Sequence, residues 1–322
     1  MPAESPRNPL LTRRQLLGWA TGLGLGLAGA GVGAAQGYAR AQLNRVQTTL
    51  PGLKSSVSVA LLSDLHYGPL IGEAQLRGWV DLTLSARPDL IVVVGDFCDV
   101  NLGRDLPGSL AQPLLRQLAR LQAPLGVWGA WGNHDYGSFG RVAQPYSGGV
   151  RADWAEVRAA FQAALAAAGL SILTNRGVPV RPDLWLGGLD DLNWGEPDAA
   201  AALAGAPAGA AQLLMVHEPD DLVNLAAVPA WRTGGLAVCG HTHGGQIRFP
   251  LIGAPVVPSA YGQRFAQGWV QGDAHDGRPG ARGYVSRGLG LSGLPLRNLC
   301  PPEVVLLELR PGPAGNTAPP TR

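Results

Sequence analysis

Cysteine is scarce in this chain: three in 322 residues, at Cys98, Cys239 and Cys300, with no C-x-x-C pair. So few exclude a disulfide framework and a sulfur-ligated zinc site, and all three read as small buried residues at strand ends. Charge of one sign is lacking as well. Charged residues make up 15% of the chain and the net charge is +2, which excludes the basic footprint of a nucleic-acid binder. No internal repeat and no long linker is present. Histidine is rare too, at six. What is plentiful is turn chemistry: Gly 46 and Pro 27 approach a quarter of the chain. Apolar runs recur throughout, so these residues fit the many turns of a folded protein rather than disorder. A chain of this length, with its ends removed, suits one large α/β domain or two small ones.

The N-terminus differs from the rest. Arg7, Arg13 and Arg14 precede a stretch, residues 15–39, that holds no charged residue and eight glycines. Arginines before an apolar stretch keep that end cytoplasmic and send the downstream chain across the membrane. "TRRQLL" resembles a twin-arginine export signal, which implies the corresponding export machinery as a partner and a protein working outside the cytoplasm. Two fates are open. "ARA" at 39–41 has the small-x-small form of a cleavage site, and twenty-five uncharged residues are also enough to stay in a bilayer as an anchor. Residues 1–45 are therefore expected to be signal or anchor, 55–310 a single catalytic domain, and 311–322 ("PGPAGNTAPPTR") a disordered tail.

Within that domain, short β-rich runs alternate with helical stretches. "SVSVALLSD", "DLIVVVGDF" and "LGVWGAWGNHD" read as strands, the second apolar enough to be buried on both faces. "EAQLRGWVDLTLSA" and "AQPLLRQLARLQ" read as helices, and "DWAEVRAAFQAALAAAGL" as a third that opens with Asp153 and Glu156 at capping-box spacing. The second half is strand-rich. Alternating βαβ units followed by more strands predict two sheets with outer helices, an α/β fold.

Each buried strand ends in polar residues. They are Asp64 and His66 in "SDLHYG", Asp96 and Asp99 in "GDFCD", and Asn133, His134 and Asp135 in "GNHD". His217 follows in "MVHEPD", then His241 and His243 in "GHTHGG". Ligands of open α/β sheets bind beyond the carboxyl ends of the strands, so these clusters converge. Asp, His and Asn together suit a divalent ion such as zinc, manganese or iron. Five of the six histidines lie at such strand ends, which makes this a metal site.

D-x-H, G-D-x-x-D, G-N-H-D, a lone His and G-H-x-H, in that order, resemble the calcineurin-like metallophosphoesterase family. "GHTHGGQ", "SRGLG" and "PLRNLCPPE" are similar to its exported or membrane-anchored branch. That branch includes cell-wall-associated phosphodiesterases and a UDP-diacylglucosamine pyrophosphatase group. The resemblance implies a four-layer α/β/β/α sandwich of two mixed β-sheets. It implies two divalent ions, one held by Asp64, His66, Asp96 and His243, the other by Asp96, Asn133, His217 and His241, with Asp96 bridging. It implies attack of a bridging hydroxide on a phosphodiester or pyrophosphate, with His134 assisting the leaving group.

Several neighbours carry two readings. Asp135 orients His134 or shapes a turn. Asp99, Asp191 and Glu218 orient ligating histidines or are turn carboxylates. Arg287 and Arg297 clamp an anionic substrate group or sit on a solvated loop. Tyr67 is placed at the pocket rim, and Trp194 and Trp231 pack an apolar or sugar group or fill the core. Outside the cytoplasm the substrate would be a wall- or lipid-linked phosphate ester or an extracellular nucleotide. A phosphomonoesterase, and a non-catalytic envelope-binding protein of the same fold, are the rival readings.

Overall fold

The computed structural model describes residues 40–104 and 110–313. Its strands, in chain order, are β1 (Gln42–Thr49), β2 (Val57–Leu62), β3 (Leu90–Val94), β4 (Val127–Ala130), β5 (Leu170–Ile172) and β6 (Arg176–Arg181), then β7 (Leu184–Gly188), β8 (Ala211–Met215), β9 (Leu236–Cys239), β10 (Gly268–Gln271), β11 (Arg282–Val285) and β12 (Glu303–Arg310). They form two six-stranded mixed sheets, ordered β1-β12-β2-β3-β4-β5 and β10-β11-β9-β8-β7-β6. The helices are α1 (Glu73–Ser85), α2 (Gln112–Leu118), α3 (Asn133–Phe139), α4 (Trp154–Ala167), α5 (Ala199–Leu203) and α6 (Leu222–Leu225).

The period-two alternation of a strand lets one apolar run serve two cores. In β3, Leu90, Val92 and Val94 face the second sheet, where they meet Leu213, Met215, Leu236 and Val238. Ile91 and Val93 point the other way, toward Leu76 and Trp79 of α1, Leu114 of α2 and Phe161 of α4. On the far side, Leu214 and Ala237 of the second sheet pack with Leu203 of α5, Leu222 of α6, Trp185 and Trp231. The result is the four-layer α/β/β/α sandwich, with each fully buried Leu, Ile, Val or Phe contributing ~1.5–3 kcal/mol. Among the described residues no helix is long and apolar enough to cross a membrane.

Four local expectations are corrected. Among the described residues the sheet already includes Gln42–Thr49, upstream of the expected start near Ser55, because β1 pairs along its whole length with β12. The third strand stops at Ala130, and Asn133 starts a helix instead of continuing it. The second predicted helix is confined to Gln112–Leu118. Asp153 stands at the N-cap of α4 without capping it, because Arg151 grips both of its carboxylate oxygens at 2.9 Å and Arg104 adds a contact at 3.1 Å. The signal residues up to 39 and the tail from 314 lie outside the described residues.

Near α6, Asp221 Oδ2 is sealed from solvent with no hydrogen-bond partner. Burial, with Asp191 and Asp220 nearby, pushes this carboxyl up to about 7. A raised folded-state pKa means the folded state holds a proton that the unfolded state has released. Stability is therefore fully present below about pH 4 and falls as pH rises through about 7. Asp221→Asn is expected to stabilise the protein by ~1–3 kcal/mol at pH 8 and to change little at pH 4. Paired thermal melts at the two pH values check this, and a variant no more stable at pH 8 would refute it.

Candidate metal centre

Parallel strands bring five loops to one edge of the sandwich. β2 runs into Asp64 and His66, β3 into Asp96, β4 into Asn133 and His134, β8 into His217, and β9 into His241 and His243. Their backbones are stitched together. Asp64 N donates to Gly95 O at 3.1 Å, His66 N to Asp96 O at 2.9 Å, and Gly240 N to His217 O at 3.0 Å. Asp64, His66, Asp96, His241 and His243 all have positive φ, between 46° and 69°. L-residues rarely adopt that region, and when they do it clusters at functional sites. The glycine of "GDF" is required as well: Gly95 has φ 75°, and a Cβ there would collide with the His217 ring.

The side chains meet in two clusters. In one, His66 Nε2 lies 3.0 Å from His243 Nε2, and His243 Nε2 lies 3.7 Å from Asp64 Oδ1. In the other, Asn133 Oδ1 stands 3.3 Å from His217 Nε2 and 2.9 Å from His241 Nδ1. Asp96 Oδ2 lies between them, 3.4 Å from His66 Nε2 and 3.2 Å from His217 Nε2. Asp64 Oδ2 is buried and makes no hydrogen bond, although a buried polar atom in a native fold normally has a partner. An orphaned carboxylate oxygen and two facing imidazole nitrogens are what a cation at this point explains.

The outer nitrogens of the histidines are fixed, which presents the inner ones. His217 Nδ1 sits 2.9 Å from Val94 O, and His66 Nδ1 3.2 Å from the Asp99 carboxylate. Partners of this kind hold ring orientation and tautomer. Burial and the neighbouring His217 push His241 down to about 3. Burial, with His66 and Arg297 beside it, holds His243 well below its ordinary value. Both rings are neutral and able to ligate at physiological pH. Burial opposes ionisation of Asp96, yet His217, His134 and His66 outweigh it and hold this carboxyl well below the usual range.

A family model described as calcineurin-like phosphoesterase matches residues 57–245, more than half of the chain. The chain belongs to the calcineurin-like phosphoesterase family. It is 31% identical over 292 residues to the uncharacterized metallophosphoesterase YkuE of Bacillus subtilis, covering 86% of this chain and 91% of that one. It is 30% identical over 256 residues to the phosphodiesterase YaeI of Escherichia coli, covering 78% and 81%. A transmembrane protein with a metallophosphoesterase domain from Danio rerio is 29% identical over 274 residues, and this chain spans 55% of its length. The protein is thus a metal-dependent hydrolase of phosphoric esters, and enzymes of this family use divalent ions.

Around the phosphoesterase's metal cluster, several side chains sit differently from the sequence expectation. Asp135 does not orient His134. Its carboxylate accepts the N–H groups of Asp96 (3.0 Å), Phe97 (2.8 Å) and Gly132 (3.0 Å), tying two ligand loops together. Asp99 orients His134 instead, with Oδ1 2.8 Å from His134 Nδ1. Tyr146, which sequence reasoning missed, places its hydroxyl oxygen 2.8 Å from the same nitrogen and stacks on the ring at 5.6 Å. It comes from a loop twelve residues away whose sequence, "VAQPYSGG", carries no motif. Asp191 and Glu218 close the 191–194 turn, accepting from Asn193 N and Trp194 N and from Leu192 N and Asn193 Nδ2, respectively. Tyr67 is half-buried and bridges to Cys98, Trp231 is core, and Trp194 is partly exposed.

Neither arginine is a free clamp. Arg287 Nη2 is bonded to Glu303 Oε2 at 2.5 Å. Arg297 is fully buried. It donates to Gly290 O at 2.7 Å and Cys300 O at 3.2 Å, and its Nη2 lies 3.2 Å from His243 Nδ1. It positions the His243 ring while the "SRGLG" loop bonds back onto the Asp64 strand through Leu289 N to Ser63 O and Gly290 N to Asp64 O. Arg297→Lys keeps the charge and loses the planar fork, leaving buried carbonyls unpaired at ~1–3 kcal/mol each. We expect a lower melting temperature and metal affinity weakened by roughly 10–100-fold, measured by titrating the metal-free variant. Affinity equal to the parent would remove Arg297 from this role.

Proposed function

We propose that this enzyme hydrolyses a phosphodiester at a two-metal centre, with Asp64, His66, Asp96 and His243 around one ion and Asp96, Asn133, His217 and His241 around the other. The observation that carries the reading is Asp96 Oδ2, one carboxylate oxygen facing both donor clusters at 3.4 and 3.2 Å. Two divalent ions held by these residues would supply activation of water and neutralisation of charge on the phosphoryl oxygens. The chain's own residues do the rest. Asp96 and the two histidine pairs fix the reacting centre at the end of a rigid sandwich. His134 supplies the proton for the leaving oxygen: burial alone would lower its pKa, but Asp96 and Asp99 raise it to about 9. Its ring is therefore protonated at neutral pH. Asp99 and Tyr146 hold Nδ1, which leaves Nε2 to donate. His134 keeps 18% of its side chain exposed, so a substrate can reach it.

The diester preference is supported by the 30% identity to the YaeI phosphodiesterase. Manganese, zinc and iron are the ions that suit this Asp, Asn and His set. We place the enzyme outside the cytoplasm, on the support of Arg13, Arg14 and the uncharged stretch after them. The test loads metal-free protein separately with manganese, zinc and iron, counts bound equivalents, and compares a chromogenic diester with its matching monoester. Two equivalents with preferential diester cleavage are expected. One equivalent refutes the two-metal reading, and turnover of the monoester alone refutes the diester reading.

A further inference from the structure

Of the eleven exposed large apolar side chains among the described residues, seven fall in two neighbouring loops: Phe249, Leu251, Ile252, Val256 and Tyr261 in one, Leu294 and Leu299 in the other. The loops are joined. Arg248 N donates to Asn298 O at 2.9 Å, Asn298 Nδ2 to Arg248 O at 2.6 Å, and Gln246 Nε2 to Leu294 O at 2.9 Å. Leu299 lines one shallow hollow with Phe249, Leu251 and Ile252. Leu251 stands at the tip of the turn closed by Phe249 and Gly253, fully exposed and at φ 68°. A glycine or asparagine would fit that turn without strain and without exposing a leucine. Nothing in the packing of the described residues rewards leucine here. A contiguous exposed apolar patch marks an interaction site.

We propose that this surface docks on a lipid bilayer. The argument for that occupant is where the N-terminal segment joins the fold. β1 runs parallel to β12 and β12 antiparallel to β2, whose far end leads to Asp64. The start of β1 therefore lies at the metal-centre end of the sheet. Gln42 N bonds Pro302 O at 2.9 Å, three residues from the exposed Leu299. The uncharged stretch 15–39 ends only three residues before Gln42, a span of about 10 Å even when extended. A membrane that holds 15–39 is thus within reach of the two loops. Charge agrees: Arg248, which also lines the hollow, donates to Gly244 O at 2.8 Å and meets no carboxylate among the described residues, which suits anionic headgroups. Docked this way, the patch brings His243, five residues before Arg248, toward the headgroups. Docking of this kind is independent of which ester the enzyme cleaves.

The test uses the full chain with a bilayer-sensitive fluorophore on Leu251→Cys. Labelling is selective because Cys98, Cys239 and Cys300 are all buried. The control label is Asp276→Cys: that side chain is 87% exposed on the β10–β11 hairpin, at the end of the sheet away from the metal centre. Each protein is mixed with vesicles of phosphatidylglycerol and phosphatidylethanolamine, with and without brominated acyl chains. The Leu251 label is expected to shift to shorter wavelength and to be quenched by the brominated lipid, and the Asp276 label to do neither. Protein that floats with vesicles while the Leu251 label stays unshifted overturns the proposal. So does a Leu251 shift without lipid that grows with protein concentration, which assigns the patch to a second copy of the chain.

Discussion

Asp96→Asn is expected to lower phosphoester turnover on the order of 10³-fold or more and to reduce bound metal below two equivalents. The side chain is isosteric, and its structural hydrogen bond survives. Asp96 Oδ1 accepts from His134 N at 2.8 Å, and an amide oxygen accepts that bond equally well. What disappears is the charge at Oδ2, between the His66 and His217 nitrogens. With the amide oxygen kept at His134 N, an NH2 group takes that place, which neither ligates a cation nor offsets its charge, so the deficit falls on both clusters at once. Asp64→Asn, by contrast, removes a charge from one cluster only. Asp64 Oδ1 also accepts from His241 N at 2.8 Å, a bond that an amide oxygen keeps, so the variant is expected to spare the ion beside Asn133, His217 and His241. Metal analysis of the two variants beside the parent checks the contrast. An Asp96→Asn protein that keeps two equivalents and turns over within tenfold of the parent would mean that Asp96 bridges nothing.

The gathering of these ligands is legible in the sequence, because the ligand-bearing motifs sit where apolar strands end and strand ends gather in an α/β fold. The sheet cores are legible for the same reason: "LIVVV" has no polar residue to offer water and must be covered on both faces. The features that escape are those in which a residue's role is set by a partner far along the chain. Tyr146 reaches His134 from a loop with no periodicity. Arg297 is an ordinary arginine in a Gly- and Pro-rich segment until the fold buries it behind His243. Asp135 follows His134 directly and invites the reading of a partner. Helix α3 instead turns its carboxylate back toward the Asp96 loop, and Asp99, thirty-five residues upstream, takes the place beside the imidazole. β1 escapes because "QLNRVQTT" alternates weakly and is only half-buried. Its strand character comes from pairing with β12, not from its own composition.

His134→Gln is expected to cost ~10²–10⁴-fold on a diester with a poor leaving group and far less on a nitrophenyl diester, whose leaving oxygen departs without a proton. A purely structural role would lower both substrates alike, so the ratio between them is the decisive readout. The pH profile gives a second one. The active form of His134 is the protonated one, held up to about 9 against burial by Asp96 and Asp99. Activity due to this proton is therefore present below that pH and lost as pH rises through it. Cations beside Asp96 offset part of the carboxylate charge that sustains the shift, so the alkaline limb of the metal-loaded enzyme is expected at or below pH 9, and the limb should vanish in His134→Gln. Tyr146→Phe removes the hydroxyl from Nδ1 while leaving Asp99 in place, and should move the limb with only a modest loss of rate. An alkaline limb that persists unchanged in His134→Gln belongs to another group, and the leaving-group proton would then have to come from solvent.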